Sequence, residues 1–141
     1  MRVLLDTNIF ISYLLQPEGE SSIHLVLEAA LLGKFNLLLP EEVLEELQRK
    51  ILSKKYLAER ITPENAEKLV SILRQISGVI PRIELEIPAL TRDPKDDYLL
   101  AHAVVGEADY LVTGDDDLLV LKEVEGVKIV KASQFWEIME M

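Results

Sequence analysis

Short, continuously apolar runs alternate along the chain with longer stretches of helical periodicity. RVLL (2–5) is apolar without a break after its first residue, the pattern of a strand buried on both faces. NIFISYLL (8–15) and SSIHLVLEAALLG (21–33) read as helices, the second opening on cap-type serines and closing on Gly33. FNLLL (35–39) is a second buried strand, stopped by Pro40. That proline then opens EEVLEELQRKIL, where Val43, Leu44, Leu47 and Ile51 make a helical stripe. Thr62-Pro63 starts another helix that runs to about Ser77. In RIELEI (82–87), Ile83, Leu85 and Ile87 alternate with Glu84 and Glu86, which predicts a strand exposed on one face at the sheet edge. DPKDDYLLAHAVV (93–105) is a helix with a strong start. DYLVT (109–113) and VKIV (127–130) are two more strands, with LLVLKEV between them as a short helical turn. KASQFWEIMEM closes the chain as a helix carrying Phe135, Trp136 and Ile138. Five strands separated by helices predict an α/β fold, a three-layer α/β/α sandwich around a parallel sheet. With no repeat, low-complexity tract or linker, residues 1–141 are expected to form a single domain.

Composition narrows the class of protein. Hydrophobic residues are 49% and charged residues 28% of the chain, an ordinary globular balance that argues against disorder and fibrous structure. No apolar run reaches the roughly 18 residues of a membrane helix. Asp6 and Asn8 interrupt what would be the apolar region of a signal peptide, so a cytoplasmic protein is expected. There are no cysteines, which removes disulfides and thiolate metal sites. A net charge of −10 argues against a protein that coats nucleic acid, because such proteins need excess Lys and Arg. A carboxylate metal site is acidic by construction and meets phosphate through cations, so the acidity does not exclude it.

Parallel sheets bind ligands at the carboxyl ends of their strands. Asp6 ends the first strand and Asp115 follows the fourth. Asp96 begins the helix leading into that fourth strand, and Glu46 lies in the helix after the second. Four acids distant in sequence thus gather near one sheet edge, as hard divalent ions require. Each has an ordinary alternative. Asp6 suits a helix cap, Glu46 a solvated face, Asp96 a helix start behind Asp93-Pro94, and the GDDD run at 114–117 a turn. Their joint placement carries the inference. His24 and His102 sit in apolar helical stretches and read as packing residues rather than ligands. Arg49, Lys50, Lys54, Lys55 and Arg60 read as a solvated basic face, with contact to an RNA backbone as the alternative. No Walker loop, GxGxxG or Ser-His-Asp order supports nucleotide-cofactor or acyl-transfer chemistry.

VLLDTNIFISYLL, LPEEVLEELQRKIL and DPKDDYLLAHAVVGEADYLVTGDDDLLVL, in that order and spacing, resemble the PIN domain family, and within it the VapC-like toxin components of toxin–antitoxin pairs. The resemblance covers nearly the whole chain. Its first and last motifs are specific, whereas the glutamate segment is not. It implies a Mg²⁺- or Mn²⁺-dependent ribonuclease acting on single-stranded RNA. Its metal and catalytic acids would be Asp6, Glu46, Asp96 and Asp115, with Asp117 auxiliary and Asn8 and Thr113 as supporting polar residues. Asp97 competes with Asp96, because the pairing of the DD step could slip by one. An antitoxin and a second copy of the chain, in a homodimer, are the expected protein partners. Phe10, Leu14 and Leu15 could serve such a groove, but core packing is the use expected of them. Three other readings remain at this stage. An aspartyl-phosphate phosphatase would need a second Asp where Asn8 stands. A receiver-like domain would draw on Lys131 and Thr113, yet FNLLLP ends in proline where its acceptor belongs. A non-catalytic scaffold would keep the fold alone.

Overall fold

The computed structural model describes residues 1–141 apart from Gly78, Arg82 and Leu85. β1 (Arg2–Leu5) runs into α1 (Thr7–Leu15) and α2 (Ser22–Leu31), followed by β2 (Asn36–Pro40). α3 (Glu41–Ser53), α4 (Lys55–Arg60) and α5 (Pro63–Ile76) lead to β3 (Val79–Ile80). α6 (Pro94–Val105) precedes β4 (Tyr110–Val112) and the one-turn α7 (Asp116–Leu119). A hairpin of β5 (Glu123–Val124) and β6 (Val127–Val130) then gives way to α8 (Ala132–Met139).

The strands form one sheet in the order β3-β2-β1-β4-β6-β5. All described pairings are parallel except β5 with β6. From β1 the chain steps outward to β2 and β3, then crosses back to β4 on the other side of β1. Parallel crossovers are right-handed, so this reversal sends α6 to the face opposite the helices of the first half. The result is a three-layer α/β/α sandwich with its topological switch between β1 and β4. α2 packs against α1, α5 and α8, while α6 lies along β4 and α7 along β6.

Apolar periodicity explains the layers. Val3, Leu4 and Leu39 are fully buried because both faces of the central strands are covered. The stripe of Val43, Leu44, Leu47 and Ile51 seats α3, none of the four being more than 5% exposed. Each such side chain contributes roughly 1.5–3 kcal/mol by leaving water. His24 is buried as well. Its ring hydrogen-bonds Ser21 Oγ at 2.7 Å and the carbonyl of Gln16, tying the α1–α2 loop to α2. Gly19 faces that ring so closely that an added Cβ would fall 2.4 Å from it.

Two expectations need correction. The edge strand among the described residues is Val79–Ile80, paired with Leu39–Pro40. Pro81 lacks the N–H a ladder needs and ends the strand. Ile83, Glu84, Glu86 and Ile87 are not in a strand, and Arg82 and Leu85 lie outside the described residues. The LLVLKEV segment is also more than a helical turn. Its last two residues form β5, turned back onto β6 through Glu125 and Gly126 with φ of 49° and 84°. Two successive positive φ angles make the primed turn that matches hairpin twist, and Gly126 adopts one without strain. The sheet therefore has six described strands instead of five, one of them antiparallel.

Candidate active site

The switch between β1 and β4 opens a crevice at the carboxyl ends of both strands. The Asp6 amide donates to the Val112 carbonyl at 3.0 Å, which holds the two strand ends together. Asp6 stands at the cap position of α1, yet its side chain makes no capping hydrogen bond among the described residues. Its Oδ2 instead accepts from Thr113 Oγ1 at 2.7 Å. Thr113 is wholly buried, and the same hydroxyl accepts from the Asp115 amide at 3.0 Å. Asp115 in turn caps α7 by accepting from the Asp117 amide at 2.9 Å. One hydroxyl thereby fixes acids from two strands.

On the third side, Asp93 caps α6 by accepting from the Lys95 amide at 2.9 Å, and Pro94 takes the first helical position. The cap role is thus filled without Asp96, whose carboxylate turns into the crevice. Oxygens of Asp96, Asp115 and Asp117 all lie within 4.8 Å of one another. Asp97 points elsewhere. It is 7% exposed, and its Oδ1 accepts from the amides of Leu90 at 2.9 Å and Thr91 at 2.7 Å, anchoring the loop before α6.

α3 contributes Glu46. Its Oε2 accepts from Thr7 Oγ1 at 3.3 Å, and its Oε1 lies 2.8 Å from Lys50 Nζ. Lys50 also donates to Asn8 Oδ1 at 3.4 Å. Across the site, Arg92 Nη2 lies 2.7 Å from Asp117 Oδ1. Asp6, Asn8, Glu46, Lys50, Asp96 and Asp115 all border one cleft of about 300 Å³. The structure thus brings all four expected acids to a single cleft. The tight group within them, however, is Asp96 and Asp115 with the auxiliary Asp117, while Glu46 is engaged by Lys50.

Comparison with known proteins places this architecture. Residues 2–117 match the PIN domain, a span that runs from the first strand to Asp117 and takes in every acid described above. The chain belongs to the PIN domain family. No curated protein sequence matches it. Among solved structures it is similar to VapBC2 from Rickettsia felis bound to a DNA fragment from its promoter, with a TM-score of 0.59 at 20% identity. The likeness covers 92% of this chain and 97% of that one, and it is a likeness of fold. In this PIN domain the β5–β6 hairpin and α8 lie beyond the matched span.

Electrostatics divide the acids of the PIN domain into two kinds. Burial holds the Asp6 carboxyl above its ordinary range, and the Glu46 charge adds to the effect, against the Thr113 hydrogen bond. Asp96 is raised to about 7, first by desolvation, then by its hydrogen bond to and the charge of Asp115, with Asp93 and Asp6 adding.

Several participants were not assigned a site role from sequence. Lys50 and Thr7 reach Glu46 only because α1 and α3 pack together, and Arg92 reaches Asp117 across 25 residues of chain. His102 is 1% exposed, as a packing role predicts, but it also borders the cleft. Its Nδ1 donates to the Tyr98 carbonyl at 2.9 Å, leaving Nε2 without a partner among the described residues. No sequence signal distinguishes that ring from any other histidine on an apolar face.

Proposed function

We propose that this PIN domain is a Mg²⁺- or Mn²⁺-dependent ribonuclease acting in the cytoplasm on single-stranded RNA, the toxin of a pair that an antitoxin protein neutralises, working as a homodimer. The observation that carries the reading is the convergence of Asp96, Asp115 and Asp117, with Asp6 beside them, at the β1–β4 switch. The donor set fits such an ion, being all carboxylate oxygen with no cysteine or histidine among the grouped residues, which favours hard cations over zinc. Asp6, Asp96 and Asp115 would hold it, with Glu46 and Asp117 at the rim. When bound, the ion supplies the Lewis acid for hydrolysis of a phosphodiester.

The rest falls to the protein. Thr113 orients Asp6 and Asp115 through one hydroxyl, and Thr7 and Asn8 position Glu46 and Lys50, so the acids need little rearrangement on loading. Arg49, Lys50 and Lys95 border the cleft and offer cationic contacts to an RNA backbone in an otherwise acidic protein. Among the described residues no helix is long and apolar enough to cross a membrane.

Purified protein should cleave single-stranded RNA with Mg²⁺ or Mn²⁺ and stop when EDTA is added. Undiminished cleavage in EDTA would sink the metal reading. Light scattering on the eluted protein tests the homodimer. Co-purification with the product of a short adjacent reading frame tests the antitoxin.

A further inference from the structure

Two cations stand at the rim of the carboxylate group, each holding one acid. Lys50 contacts Glu46 at 2.8 Å and Asn8 at 3.4 Å, and Arg92 contacts Asp117 at 2.7 Å. Glu46 and Lys50 belong to the helix after β2, and Asp117 to the helix after β4. In the sheet these strands flank β1, so the two cations approach the site from opposite sides. The inner acids, Asp6 and Asp96, have no ion pair of this kind among the described residues.

The contacts compete with metal. Asp117 is one of three acids whose oxygens close to within 4.8 Å, and Arg92 occupies one of its oxygens. Both cations are long side chains, Arg92 86% exposed and Lys50 partly covered at 25%. An exposed pair such as Arg92–Asp117 is held weakly, and Lys50 carries its charge on a flexible four-carbon stem. A divalent ion that draws on Glu46 or Asp117 leaves Lys50 or Arg92 with a diminished partner, at the edge of a cleft that must accept a polyanion.

We propose that Lys50 and Arg92 are exchange cations: each balances an outer carboxylate and passes to phosphodiester oxygens of the RNA strand once a divalent ion takes over that carboxylate's charge. This rests on the metal-dependent ribonuclease reading. They are substrate-positioning residues and take no part in bond making. The assignment gives purpose to an arrangement that would otherwise only weaken the site, since a fixed cation on a metal ligand lowers metal affinity.

The test is calorimetric titration of Mn²⁺ into chelator-treated wild type, Lys50→Met and Arg92→Gln, followed by RNA cleavage kinetics over a range of salt. Lys34→Met controls for net charge, because Lys34 is exposed and precedes the amino end of β2, opposite the carboxyl ends that bear the site. Each rim variant should bind Mn²⁺ about twofold to fivefold tighter, the span of a part-solvated charge pair. Each should raise KM for RNA by a similar factor with kcat little changed. The slope of log affinity against log salt should shrink by about 0.7 per cation removed. The control should move none of these. If wild type binds Mn²⁺ and both rim variants bind it no tighter, the exchange is wrong and the metal reading stands. Tighter Mn²⁺ with unchanged KM and salt slope overturns the handover to RNA. If wild type takes up no Mn²⁺, the metal reading itself fails, and the exchange with it.

Discussion

Asp6 and Asp96 differ sharply from Glu46 and Asp117, although all four border the same group of carboxylates. The inner pair is desolvated, faces like charge, and is pushed toward the protonated form, Asp96 to about 7. The outer pair is part-solvated, and each member has a basic side chain within 2.8 Å. The rim acids are thus paired with the protein's own cations, whereas Asp6 and Asp96 have no ion pair among the described residues.

The largest effect should come from Asp96→Asn, which keeps shape and removes the charge a cation needs. Cleavage should fall at least about 100-fold, or roughly 3 kcal/mol in transition-state stabilisation. Its neighbour should fail differently. Asp97→Asn weakens the two loop hydrogen bonds and should cost about 1–3 kcal/mol of stability while leaving most of the rate below its melting temperature. Rate and thermal melting measured on both variants decide between the two residues, and a dead but stable Asp97→Asn would reverse their roles.

Asp6→Asn sharpens the comparison at the centre. It retains an acceptor for Thr113 and removes a buried like charge, so the chelated protein should melt higher by about 1 kcal/mol equivalent while losing metal binding. A clear fall in stability would mean that the carboxylate is needed by the fold.

The smallest effect is the pH dependence of the chelated protein. Folded Asp96 keeps its proton to about 7, whereas an unfolded aspartate releases it near 3.8. The folded state thus binds more protons between those values, and stability falls as pH rises through that window. Asp6 shifts in the same direction. Because Asp96 is only part-buried, solvent screening trims the effect, and a drop of about 2 °C between pH 5 and 7.5 is expected. Asp96→Asn should flatten it.

The fold was legible wherever apolar runs were long or periodic. RVLL and FNLLL became the central strands, and the stripe on α3 is buried as its spacing predicts. What escaped were two-residue strands, β3 and β5, because pairing of that length is set by neighbours and turn geometry rather than by alternation. RIELEI has the better alternation in sequence, but its described residues, Ile83, Glu84, Glu86 and Ile87, follow Pro81 and are not in a strand. The acids were legible as a set, since strand order and family motifs both converge on them. Their partition was not. Asp96 and Asp97 follow the same Asp93-Pro94 start, and only the amides of Leu90 and Thr91 tell them apart. Lys50 looked like part of a solvated face, and its contact with Asn8 depends on how α1 and α3 pack.

Asp115 serves two masters with one carboxylate. Its Oδ1 accepts the Asp117 amide that starts α7, while the group as a whole faces Asp96. An ion drawing electron density from that carboxylate must weaken it as an acceptor, so the Asp117 amide proton reports on the site from inside the backbone. In a nitrogen-15 spectrum its resonance should move upfield as Mg²⁺ is added and return with chelator. That single proton reports ion binding without substrate or turnover.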